Sequence, residues 1–173
     1  KYILRNPLVY APDQVSLLDR LLTPQAGYII PLTTNLEAAL YTIGSGAAWS
    51  FHGAGLLLHL LTCLLVYAMA RRLSGRDAVA AALAMIFCAH PVVVEPVAWA
   101  TGLKDMFMTP LALGAAFVFW LAHQEREPPC HYRLLFAVFL ALMAMLSKPT
   151  AVLLGGAFAL YLGARWMQGH LPH

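Results

Sequence analysis

The chain has 173 residues, of which 61% are hydrophobic and only 11% charged, with a formal net charge of +3. A mean hydropathy of +0.69 lies well above what a soluble domain of this length needs to fill one core, so the composition is that of a membrane protein. The basic residues stand singly at the ends of apolar runs and form no stripe interleaved with aromatics, so the charge carries no nucleic-acid signal.

Residues 1–49 read as the one sizeable extramembrane segment. In PDQVSLLDRLL, Asp13 is a candidate N-cap, and Val15, Leu18, Leu21 and Leu22 fall on one helical face. In PLTTNLEAALYTIG, Leu32, Leu36, Leu40 and Ile43 make another face before Gly44 stops the helix. Both stretches predict short helices lying in the membrane interface, which either cap a bundle or floor a site at the membrane surface. Lys1 is not an initiator methionine and no secretory signal pattern opens the chain, so a first span is expected upstream of it.

Five uncharged runs follow, at 38–70, 78–94, 106–124, 134–147 and 149–164. A hydrocarbon core about 30 Å thick takes about 20 apolar residues of helix. The runs therefore predict spans near 50–70, 78–95, 105–123, 133–148 and 150–165, the last two short or tilted. Long Leu- and Ala-rich runs without alternation favour helices over strands, whose edges cannot be left open in lipid. The expected fold is an all-α membrane protein: a bundle of about five transmembrane helices over 50–165, interfacial helices before it and a tail of 166–173 after it.

Arg71, Arg72 and Arg76 lie in the first short loop, Arg126 and Arg133 in the third, and Arg165 after the last span, so six of the eleven basic residues share one side. The positive-inside rule makes that side, and the tail, cytoplasmic. Cys63 and Cys88 fall inside predicted spans and Cys130 in a cytoplasmic loop. Their spacing is not of a metal-binding type, and they read as small apolar fillers. His52 and His59, seven apart, share a helix stripe about 10 Å long, as intramembrane haem ligands do; a histidine bonded to a neighbouring helix is the commoner arrangement.

The stretch CAHPVVVEPVAWATGLKDM, residues 88–106, gathers the ionisable groups that the rest of the chain lacks. His90 and Glu95 come at the outer end of the second predicted span, Lys104 and Asp105 at the start of the third, and Lys148 at the end of the fourth. Ionisable groups at a membrane boundary are costly unless paired or hydrated, which marks a candidate site. The structural alternative is that Glu95 pairs with Lys104 while Lys148 snorkels to the headgroups. Two lysines beside carboxylates and a histidine suit a lipid phosphate: fixed positive charge with an acid or base nearby.

The order PLTT (31–34), FHGAGLLLHLLTCLLVYAMARRL (51–73), HPVVVEPVAWATGLKD (90–105) and LSKPTAV (146–152) resembles the membrane part of the tetratricopeptide-repeat-containing O-mannosyltransferase-like proteins of the glycosyltransferase C superfamily, over essentially the whole chain. The resemblance implies transfer of a sugar from a polyprenyl-phosphate carrier to an extracytoplasmic acceptor such as a protein Ser or Thr. It implies that His90, Glu95, Lys104, Asp105, Lys148 and Pro149 stand around the donor site, and that the catalytic carboxylate comes from acidic residues upstream of Lys1. It also implies an arginine directly before PLT, where this chain has Ile30. In this scheme Lys104, Lys148 and His90 hold the donor phosphate and Glu95 and Asp105 orient them. No cofactor or metal is demanded, although the acidic residues leave room for a divalent cation. The expected partners are the lipid-linked sugar, membrane lipids and a protein acceptor; the expected location is a bacterial inner membrane, with the site on its extracytoplasmic side. A degenerate, non-catalytic relative serving as a subunit of a larger membrane complex is the alternative.

Overall fold

The computed structural model describes residues 6–25, 27–124 and 131–167. Cys130, Arg126 and most of the expected tail lie outside the described residues. Among those described, all regular elements are helical, apart from one isolated bridge between Gln25 and Tyr28.

Three short helices open the structure: α1 (Pro7–Tyr10), α2 (Leu17–Leu22) and α3 (Pro31–Ile43). Asp13 is not the cap expected of it. It sits inside a 3-10 turn, Pro12–Gln14, and α2 is capped instead by the Ser16 hydroxyl, which accepts from the Asp19 N–H and donates to the Asp19 carboxylate. Serine followed three residues on by an acidic residue is a capping box, so the local chemistry overrode the expectation by one turn. The leucines of α2 do face outward: Leu17 and Leu18 are both about two-thirds exposed.

Six further helices form the bundle: α4 (Ala48–Ser74), α5 (Asp77–Ala89), α6 (Pro91–Ala98), α7 (Leu103–Ala122), α8 (His131–Ser147) and α9 (Leu153–Met167). Ala48–Ser74, Ala100–Ala122 and Pro149–Met167 are long and apolar enough to cross a membrane, with their flanking 3-10 turns included. The second expected span is corrected: 78–95 is not one rod but α5 and α6, bent by 52° at a break, and the pair makes a fourth span only if counted together. The cause is Pro91, which lacks an N–H and pushes the preceding residue out of the helical region. His90 accordingly lies at φ −69°, ψ 129°, and its Nδ1 accepts the Val92 N–H as a cap. The fourth expected span, α8, is a shorter apolar helix of 17 residues.

The helices have two distinct ends. Val9, Phe51 and Leu103 form a buried cluster that joins α1 to the first turns of α4 and α7, with Leu36 and Leu40 of α3 packed against it. At the other end, Tyr67 and Arg71 of α4 share a cavity with Phe117 and Leu121 of α7, so α4 and α7 run in parallel. α9 runs the same way, because Arg165 in its last turn donates to the carbonyl of His123, just past α7. The helices α1 and α3 and both motif prolines thus sit at one end, and Arg71, Arg72, Arg76, Arg133 and Arg165 at the other.

Candidate functional site

The site end is shaped by two proline breaks and one glycine. α8 stops at Ser147 because Lys148 precedes Pro149; Lys148 is extended, at φ −154° and ψ 126°, and its side chain turns back across the bundle. The Ala151 N–H, four residues after Ser147, donates to the Lys148 carbonyl, and the Ser147 carbonyl accepts the Thr33 hydroxyl at 2.9 Å, which fastens α3 to the end of α8. Both residues are fully buried. Gly102 lies so close to α6 that a Cβ there would overlap the Pro96 carbonyl. The 3-10 turn Ala100–Gly102 folds back on α6 through that contact and launches α7 with Lys104 and Asp105 in its first turn.

These devices build a cavity of about 260 Å³ lined by Glu37, Lys104 and Lys148, with Tyr28, Ile30 and Thr101 among its walls. Lys148 forms an ion pair with Asp105, a residue 43 positions earlier, so it does not snorkel. Lys104 also lines a smaller neighbouring cleft with Glu95 and Asp105. Among the described residues no ion pair joins Lys104 to Glu95. The structure brings Lys104 and Lys148 together, sets Asp105 and Glu95 beside them, and leaves His90 out. His90 is exposed and occupied in capping α6.

Glu37 is the residue that sequence reasoning missed. It is 5% exposed, and burial raises its carboxyl from 4.5 to about 7, an effect that the Lys104 charge partly opposes. The apolar face of α3 is only partly buried: Leu36 and Leu40 pack against the Val9, Phe51 and Leu103 cluster. Thr33, Thr34, Glu37 and Ala38 are the buried residues of that helix, and Ile43 is 68% exposed. A polar inward face is favourable here because Thr33 finds the orphan Ser147 carbonyl and Glu37 finds a lysine. The signal was present: Glu37 is the lone carboxylate between Asp19 and Asp77, one turn after two threonines.

His59, the inner member of the histidine stripe, is bonded to a neighbouring helix. Its Nε2 lies 3.3 Å from the Cys88 carbonyl of α5. His52 is exposed, so the two histidines do not share an interior face.

Lys104 and Lys148 thus stand beside a buried carboxyl at one end of an all-α bundle. Residues 23–173 match the family model of dolichyl-phosphate-mannose-protein mannosyltransferase. Protein O-mannosyl-transferase Tmtc2 of Drosophila melanogaster is 33% identical over 117 residues, which cover 65% of this chain and 12% of that protein. No solved structure matches the chain. With most of its length inside the family model, and with membrane-spanning helices that meet at a cationic cavity, the chain belongs to the dolichyl-phosphate-mannose-protein mannosyltransferase family.

Proposed function

We propose that the cavity at the site end binds the phosphate of a polyprenyl-phosphate-linked sugar, and that the sugar passes to a protein Ser or Thr hydroxyl on the extracytoplasmic face. The observation that carries this reading is that Lys104 and Lys148, from two different helix junctions, line one cavity with Glu37. In transfer, the acceptor oxygen bonds to the sugar's anomeric carbon as the carbon–oxygen bond to the phosphate breaks, and the electron pair leaves on the phosphate. Charge grows on the leaving phosphate, where two ammonium groups stabilise it more in the transition state than in the ground state. A carboxyl raised to about 7 is half ionised near neutral pH, suited to take the hydroxyl proton or to share that task with a carboxylate supplied from upstream of Lys1. Asp105 holds Lys148 in place, and Glu95 sits in the adjoining cleft, where an acceptor would approach. The arginines at the opposite end then face the cytoplasm, in a bacterial inner membrane.

One observation favours the second reading, a non-catalytic subunit of a larger complex. Ile30, standing where the resemblance implies an arginine, lines this same cavity and leaves it one cation poorer. The test is binding and transfer of a polyprenyl-phosphate mannose by the purified chain, its Lys104→Met/Lys148→Met variant and its Ile30→Arg variant. The transferase reading expects binding by the wild type, a loss of tenfold or more in the lysine variant from charge-assisted contacts of about 1.5–3 kcal/mol each, and transfer by the wild type. Donor binding without transfer, with transfer appearing in Ile30→Arg, makes the native chain the non-catalytic subunit. Absence of binding in all three overturns the site.

A further inference from the structure

We propose that His59, Cys63 and Cys88 form a zinc site of one imidazole and two thiolates between α4 and α5, separate from the cavity of Lys104 and Lys148. The two cysteines are far apart in sequence and both are free thiols, yet one ligand atom from each of the three residues falls within 4.8 Å of the others. The His59 Nε2 is 3.7 Å from the Cys63 Sγ, one helical turn away on α4. Cys88 comes from the last turn of α5, immediately before the break at His90 and Pro91. Tetrahedral zinc–sulfur and zinc–nitrogen bonds of about 2.3 and 2.0–2.1 Å hold their ligands somewhat under 4 Å apart, so small side-chain rotations close the site.

Cys63 is half-buried and Cys88 exposed, and His59 is the buried member of the three, 6% exposed. Its Nε2 meets the Cys88 carbonyl because that carbonyl has lost its helical partner: the Val92 N–H is taken by His90. On metal binding, the Nε2 proton moves to Nδ1 and Nε2 becomes the ligand. The Cys88 carbonyl, or a water, is left to complete a fourth position.

Charge selects the ion. The site lies in the membrane-spanning part of α4, where a net charge is costly. A divalent ion with two thiolates and neutral imidazole and oxygen ligands sums to zero, whereas Cu(I) in the same set leaves one negative charge. Two thiol protons are released per zinc bound, so affinity falls by up to about a hundredfold for each pH unit lowered in the range where both thiols are protonated in the free site. The consequence for the fold is a staple at the α5–α6 break, whose geometry sets where α6 places Glu95.

The test uses the full chain in detergent, with Co(II) as a spectroscopic probe and zinc as competitor. The expected result is about one metal per chain with a sulfur-to-cobalt charge-transfer band, roughly halved by Cys63→Ser or Cys88→Ser, abolished by both, and displaced by zinc. Maleimide labelling mapped on the wild type covers the case in which variants misfold: zinc should protect Cys63 and Cys88. No charge-transfer band, equal metal uptake by the double variant, or equal labelling with and without zinc overturns the site.

Discussion

Lys148 and Asp105 form an ion pair that ties the end of α8 to the start of α7, while the neighbouring Lys104 faces Glu37 from α3. Lys148 thus pairs with a carboxylate where snorkelling was the structural alternative, and Lys104 acts electrostatically on Glu37 with no ion pair to Glu95 among the described residues. Asp105→Asn should release Lys148 to solvent. The side chains are 31% and 28% exposed, so the cost is intermediate between surface and buried pairs, about 1–2 kcal/mol. The expected outcome is a lower melting temperature in detergent together with a several-fold loss of polyprenyl-phosphate affinity. Unchanged affinity would show that Lys148 is positioned without Asp105.

Glu37 makes stability depend on pH. Its carboxyl is raised in the folded state, so the native chain binds more protons than the unfolded chain between about pH 4.5 and 7. Its contribution is fully present below about 4.5 and is lost as pH rises through about 7. The shift corresponds to about 3 kcal/mol as an upper order of magnitude. Glu37→Gln should therefore melt higher than wild type at pH 8 and lose its advantage by pH 4.5. A variant that melts lower at pH 8 would mean that the Lys104 interaction outweighs the burial.

Thr33→Val should cost about 1–3 kcal/mol, because it leaves the buried Ser147 carbonyl without its donor. Since that bond fastens α3 at the Lys148 turn, donor affinity should fall with stability. Thr33→Ser keeps the hydroxyl and should restore most of both. Melting curves and donor binding on the pair of variants read this out, and a Thr33→Val chain as stable as the wild type would show that the bond to Ser147 contributes nothing.

Ser74 closes α4 at the arginine end, where its hydroxyl bonds the Ala70 carbonyl. Ser74→Cys, in a background lacking the native cysteines, should resist a membrane-impermeant maleimide added to intact cells and react once the membrane is opened. Labelling of intact cells would invert the orientation and place the cavity of Lys104 and Lys148 in the cytoplasm.

Helical class, membrane setting and the approximate place of each apolar helix follow from the chain alone, because lipid leaves a long apolar run no way to satisfy its backbone except as a helix. The break after Lys148 was equally plain, since a proline ends a helix by local sterics whatever surrounds it; the same rule acts at Pro91, although the apolar run 78–94 continues through it and reads as one span. Which carboxylate meets which lysine was not local. Asp105 reaches Lys148 across 43 residues, and Glu37 turns inward although the leucines of α3 promised another face. A carboxyl of about 7 exists only where neighbouring elements remove water from it. The meeting of Cys63 with Cys88 is likewise a product of helix packing, invisible in a spacing that matches no metal motif. Periodicity and chain-breaking residues act within a few positions and are written in the sequence; desolvation and charge pairing depend on what the fold brings near, and only the tertiary structure decided them.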